Sequence, residues 1–113
     1  MTKRVNPEQE SKLKAEVVET AEGIGSGKLG VVAGVRVLVG LAHRIGADRE
    51  PDFLFLIGVD SESDHFPIGE IRHRWNISSL KEKDLALAAF EESMRDRVHQ
   101  VCRRLIERYS PSD

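Results

Sequence analysis

The sequence predicts an all-α fold: a small single-domain helical bundle of three long helices, a short helix and an ordered acidic loop. Three observations lead there. Leu87, Phe90, Met94, Val98, Val101, Leu105 and Tyr109 recur at helical spacing over about six turns. Helix-start signals stand in front of two of the apolar stripes. The length, 113 residues, suits one domain with one core. That domain is expected to span 1–113, with 1–6 and 110–113 as frayed ends.

The first helix is announced by Asn6 as N-cap, Pro7 at the first helical position and Glu8 in the first turn. Leu13, Val17, Ala21 and Ile24 form its apolar stripe, and it is expected to stop between Gly23 and Gly27. A second helix is expected from about Lys28 to Ile45. Val32, Val35, Leu38, Leu41, Ala42 and Ile45 recur along it, and Val31, Val37 and Val39 widen the apolar face. Such a helix belongs at the centre, touched from more than one side. Gly34 and Gly40 inside it cost about 1 kcal/mol each against alanine, so both are read as places where a neighbouring helix comes close. Gly46 ends it as a C′ residue.

Pro51 and Asp52 fit a helix start, and the apolar run Phe53 to Ile57 is assigned to a short helix rather than a buried strand. The stretch SESDHFPIGEIRHRWN, with Pro67 and Gly69, reads as an ordered loop. Asp60 just before it, with Ser61 and Ser63 at its start, is expected to cap and brace the loop through short side-chain to backbone bonds. The last helix is expected to begin with a capping box, Ser79 to Glu82, and to end before Pro111.

Composition excludes several classes. A net charge of −2 gives no general nucleic-acid signal. The most apolar run, Leu29 to Ala42, is interrupted by Arg36 and too short to span a bilayer, and the N-terminal stretch lacks the apolar core of a secretory signal. A single cysteine, Cys102, forms no internal disulfide and fits a reducing compartment. The expectation is a cytoplasmic protein that meets neither nucleic acid nor membrane. Charge is unevenly placed: six acids and no lysine or arginine lie between Glu50 and Glu70. Five arginines against Asp96 and Glu107 lie between Arg95 and Arg108, where cations offset a helix dipole.

No motif identifies a reaction. GSGKLGVV, Gly25 to Val32, fits G-x-G-x-x-G-x-V, but a nucleotide fingerprint needs a strand before its glycine turn, and here an amphipathic helix precedes it. It is read as a hinge between antiparallel helices. Asp60, Glu62 and Asp64 alternate as calcium ligands do, yet the sixth and twelfth positions of that loop hold His65 and Ile71 instead of glycine and glutamate. Asp60, Asp64, His65 and His73 keep no recognised metal spacing. His99 and Cys102 are neighbours on the last helix, but Val98, Val101, Leu105 and Ile106 around the cysteine mark it as packing. The cluster Arg72, His73, Arg74 and Trp75 reads as an anchor for the loop, with Trp75 in the core and the arginines paired to Glu62 or Asp64; the same residue types are favoured at interface hot spots.

The run FLIGVDSESDHFPIG, then Trp75, then a long helix ending VCRRLIERY, resembles a group of small, poorly characterised bacterial proteins. Their centre reads D-S-E-T-D-x-L-P-x-G. Asp60, Ser61, Glu62, Asp64, Pro67 and Gly69 match it, while Ser63 and Phe66 replace the threonine and leucine. The likeness covers about Lys28 to Tyr109. It implies no enzymatic activity and no cofactor, and its type and size suggest an immunity protein that neutralises a toxin by covering its active site. The expected partner surface is Asp60, Glu62, Asp64, His65, Glu70, Arg72, Arg74 and Trp75, facing a basic cleft. The alternatives are a metal-dependent hydrolase centred on Asp60, Asp64, His65 and His73, and a homodimer or larger homo-oligomer built on the last helix.

Overall fold

The computed structural model describes residues 6–111, and among them the only regular elements are helices. Helix α1 spans Pro7–Ser26, α2 Val31–Ile45, α3 Pro51–Ser63 and α4 Ile77–Tyr109; a short 3-10 helix, Gly69–Arg74, lies between the last two. The all-α expectation holds, but its finer proportions do not. Helix α3 has 13 residues, close to the 15 of α2, and the acidic stretch is not one loop. Asp60 to Ser63 form the last turn of α3, and Glu70 to Arg74 lie in the 3-10 helix. The termini expected to fray fall partly outside the described residues, at 1–5 and 112–113.

Local chemistry sets the ends of α1. The Asn6 side chain accepts from the Gln9 amide at 2.8 Å, Pro7 needs no amide partner, and Gly27 leaves the helix at φ +82°, a conformation that favours glycine. At α4 the capping box is displaced. Asn76 is the N-cap, accepting from the Ser79 amide at 2.8 Å, so Ser79 is the third residue of the helix rather than its cap. An asparagine three positions earlier caps the amide three residues along in the same way, and the helix gains its first turn from Ile77 onward.

Helix α1 packs against both α2 and α4, and α3 closes the far side of α2 while touching α4. Helices α1 and α4 run antiparallel. The start of α1 shares a cleft with Arg108 and Tyr109, and its end shares another with Arg95 and His99. One core joins the four helices: Leu13, Val17, Ala21 and Ile24 meet Val35, Leu38 and Ala42, then Phe53, Leu56 and Val59, then Val98, Val101, Cys102 and Leu105. Each large side chain buried there is worth about 1.5–3 kcal/mol, against about 1 kcal/mol or less for an exposed ion pair. Apolar burial therefore holds the bundle, and the ion pairs set how its ends meet.

The strong periodicity of α4 is used along only part of its length. Its buried residues, Val98, Val101, Cys102 and Leu105, all lie in the C-terminal half. The first turns run past the end of α1, with Ile77 and Leu85 left 74% and 75% exposed.

The two glycines of α2 differ. A Cβ at Gly34 would overlap the Cγ1 and Cδ1 atoms of Ile24, so the α1–α2 crossing depends on that missing carbon. Gly40 is exposed with nothing within 4 Å of a would-be Cβ, which corrects its reading as a close-approach point. Gly34→Ala is expected to destabilise by roughly 1–3 kcal/mol through overpacking, while Gly40→Ala gains up to about 1 kcal/mol of helix propensity. Urea unfolding of the two variants measures both signs, and equal effects would contradict this packing.

Candidate functional site

The glycine-rich turn is settled by what lies at the head of α2. Gly30 is the N-cap, in extended backbone, and supplies no side-chain cap. Glu91 of α4 takes over: its Oε2 accepts from the Val32 amide at 2.9 Å. A helix N-terminus carries free donors and a positive dipole end, so it attracts an anion. Here a carboxylate of the same chain occupies it, and the turn joins two antiparallel helices with no strand before it. Because Gly30 holds this cap, α2 begins at Val31 instead of Lys28.

The acidic segment is built on the opposite end of α3. Three carboxylates, Asp60, Glu62 and Asp64, gather at the helix C-terminus, where the dipole is already negative and no basic residue lies in the last turn. The compensating cation comes from α2. Arg36 donates from Nη2 to the Ser63 carbonyl at 2.5 Å and to the Phe66 carbonyl at 3.2 Å, and its Nε lies 3.7 Å from Asp60 Oδ1. Ser63 is fully buried and donates back to the Val59 carbonyl at 2.7 Å. It braces the last turn of the helix rather than a loop, because its hydroxyl bonds back to carbonyls one turn earlier, at Val59 and, at 3.2 Å, Asp60.

The eight residues expected to face a partner divide into groups. Glu62, Asp64, His65 and Glu70 are exposed, and Asp60 is half-buried against Arg36. His65 lies against the Phe66 ring with centroids 4.1 Å apart. Arg72 does not pair with Glu62 or Asp64. It forms a two-pronged bond to Asp84 of α4, at 2.7 and 2.8 Å, and reaches the Pro67 carbonyl at 3.2 Å. That bond lowers the Asp84 carboxyl from its ordinary range. Arg74 stays exposed. Trp75 is not in the core as expected: it is half-buried outside the main cluster, with Lys83 Nζ 5.9 Å from its ring centre. The four-helix core is already filled by aliphatic side chains and Phe53, so the indole lies at its edge.

The acids at the other end of α3 are consumed. Asp52, 8% exposed, receives Arg104 at 2.9 and 3.1 Å, with Arg108 at 3.6 Å, and Glu50 receives Arg108 at 2.6 Å and the Tyr109 hydroxyl at 3.2 Å. Arg104 and Arg108 therefore clamp α3 to α4, a role the arginine run did not reveal when read as a dipole offset.

Among the described residues no three His, Cys, Asp or Glu side chains group closely enough to hold a metal ion. Among the clefts away from the acidic end, one of about 550 Å³ is lined by Glu10, Lys14, Glu50, Arg108 and Tyr109, and another of about 420 Å³ by Glu22, Ser26, His99 and Cys102. Cys102 at the latter is 1% exposed, and burial pushes its thiol up to about 11. A thiol so protected against ionisation is packing and no nucleophile. No helix among the described residues is long and apolar enough to cross a membrane. Comparison with protein families, with curated proteins and with solved structures finds no match.

Two expectations follow. Glu91→Ala opens the head of α2 and is expected to cost roughly 0.5–2 kcal/mol, as loss of a side-chain cap does, read by urea unfolding. Cys102 stays protonated in the folded chain up to about 11 but ionises from an ordinary 9.0 once unfolded. Between those values the unfolded state binds fewer protons, so this contribution to stability is complete below 9.0 and disappears as pH rises through 11. The alkaline fall in melting temperature should be shallower in Cys102→Ala; an identical pH profile would refute it.

Proposed function

We propose that this chain is a non-enzymatic protein-binding domain that offers the acidic end of α3 to a basic surface on another protein. One observation supports this most. Carboxylates at a helix C-terminus cost stability, yet Asp60, Glu62 and Asp64 stand there together, and Glu62 and Asp64 point to solvent without an ion pair among the described residues. The start of α3, with its two acids Glu50 and Asp52, is neutralised by Arg104 and Arg108. Charge left open at a cost in stability is what electrostatic steering of a partner uses.

Arg36 and the Arg72–Asp84 bond fix this surface, so it is presented in one geometry and loses little freedom on binding. We assign to the same surface Glu70 and Ile71, exposed on the 3-10 helix, with His65, Arg74 and Trp75 at its margin. In its finer form the proposal is an immunity protein, whose partner is a toxin with a basic active-site cleft that the acidic end covers. The resemblance of the D-S-E-S-D-H-F-P-I-G core supports that form.

The test is capture of the tagged chain's partner from its native cells, with stoichiometry by mass spectrometry and binding rates measured at several salt concentrations. A partner near 1:1 is expected. Glu62→Lys with Asp64→Lys should slow its association about tenfold at low salt, with a smaller loss at high salt. The same double change should raise the urea midpoint of the free chain, because cations suit a helix C-terminus. Unchanged association, or a less stable free chain, would refute the proposal.

A further inference from the structure

Helix α4 is longer than anything packed beside it. Its 33 residues measure about 50 Å, against about 30 Å for the 20 residues of α1, and they set the 48 Å long axis of the molecule. Alignment of the two is fixed at both ends. Glu10 and Ser11 lie beside Arg108 and Tyr109, whereas Gly25 and Ser26 lie beside Arg95 and His99. Beyond Ser26 the strip of α4 that α1 would cover has no neighbour from α1. Along it Ile77, Lys81, Leu85, Ala88 and Glu92 fall on one face at helical spacing, and all five are exposed. Phe66 and Trp75 pack on Phe90 and Lys83, which lie around the helix from the strip, while Arg72 bonds Asp84 at the strip's edge, one turn from Lys81 and from Ala88.

We propose that this strip is the interface of a two-fold dimer, covered by the same strip of a second copy running antiparallel. The sequence along it is self-complementary. With the axis between Leu85 and Ala88, Lys81 of each copy stands opposite Glu92 of the other, and each Leu85 stands opposite an Ala88. A two-fold axis makes every such pair twice, which is the mark of an isologous interface. The small side chain of Ala88 leaves room for the facing leucine. Ile77 then falls near the end of the other copy's α1.

The partner helix runs in the direction of α1 and takes the place α1 leaves empty. Its N-terminus, with a positive dipole end, meets the C-terminus of α1, where no basic residue lies in the last turn. Glu92 also bonds Arg95 on its own helix, which holds the carboxylate ready at the seam. The buried face is one strip of about 30 Å, short of the roughly 800 Å² per partner of standard interfaces, so the dimer is a weak one. The strip contains none of the carboxylates of α3, and the reversals that test the dimer, at Lys81 and Glu92, are not those that test the proposed partner, at Glu62 and Asp64, so the two can fail separately.

Sedimentation equilibrium of the full chain tests this, with Lys81→Glu, Glu92→Lys and the double swap. The expected result is an average mass rising from 12.7 kDa towards twice that value as concentration increases to about 500 µM. Each single reversal should weaken the dimer about tenfold by setting like charges against each other, and the double swap should restore it. Both positions are solvent-exposed, so circular dichroism should show the fold unchanged. A chain that stays monomeric throughout, or a dimer indifferent to the single reversals, overturns the proposal. So does a double swap that fails to recover association.

Discussion

A helix leaves four amides and four carbonyls without partners at its ends, and the most informative contacts here meet that need from another helix. Glu91 of α4 closes the head of α2, and Arg36 of α2 closes the tail of α3. Each bond does two tasks at once. It satisfies backbone groups that would otherwise be costly when partly buried, and it fixes the position of a helix whose apolar face could slide. Apolar burial supplies most of the free energy, but a greasy interface is tolerant of small shifts. The two charged closures are not, because their bonds fail within a fraction of an ångström.

The acidic end of α3 follows from this arrangement. Arg36 answers the last carbonyls and approaches Asp60, which leaves it no reach to Glu62 or Asp64 on the solvent side. At the head of the same helix, two arginines of α4 meet two acids that the helix dipole already favours. One helix thus has a settled end and an open end, although both are acidic. The difference lies in which neighbours the fold brings alongside.

Much of the fold could be read from the sequence because its signals are local. Asn6 and Pro7 lie beside the helix they start, Gly27 and Gly46 take the positive φ their positions call for, and the stripe Leu13 to Ile24 repeats within one element. The failures were of two kinds. Where two capping residues stood close together, Asn76 and Ser79, the earlier one won and lengthened the helix. Where the partner was distant in sequence, nothing local pointed to it. Val32 and Glu91 are 59 positions apart, Arg36 and Ser63 are 27 apart, and Arg104 pairs with an aspartate 52 positions earlier. The candidate site suffered most, since the short run Asp60 to Trp75 is divided between the end of one helix, a turn and a 3-10 helix. Its charges were visible, but which of them remain free was decided by Arg36 and Asp84, outside that run.

The closure of α2 by Glu91 has a consequence for how the chain is made. During synthesis α1 and α2 emerge together with the glycine-rich turn between them, and Ile24 can already settle over Gly34. The tail of α3 finds Arg36 waiting, since that residue was made earlier. The head of α2 has no such provision, because its carboxylate is still 59 residues from being added. The first three helices can therefore gather before the last appears, but the bundle locks only when α4 is complete enough to swing back along α1. The final helix is then both a wall of the core and the clasp that ends assembly.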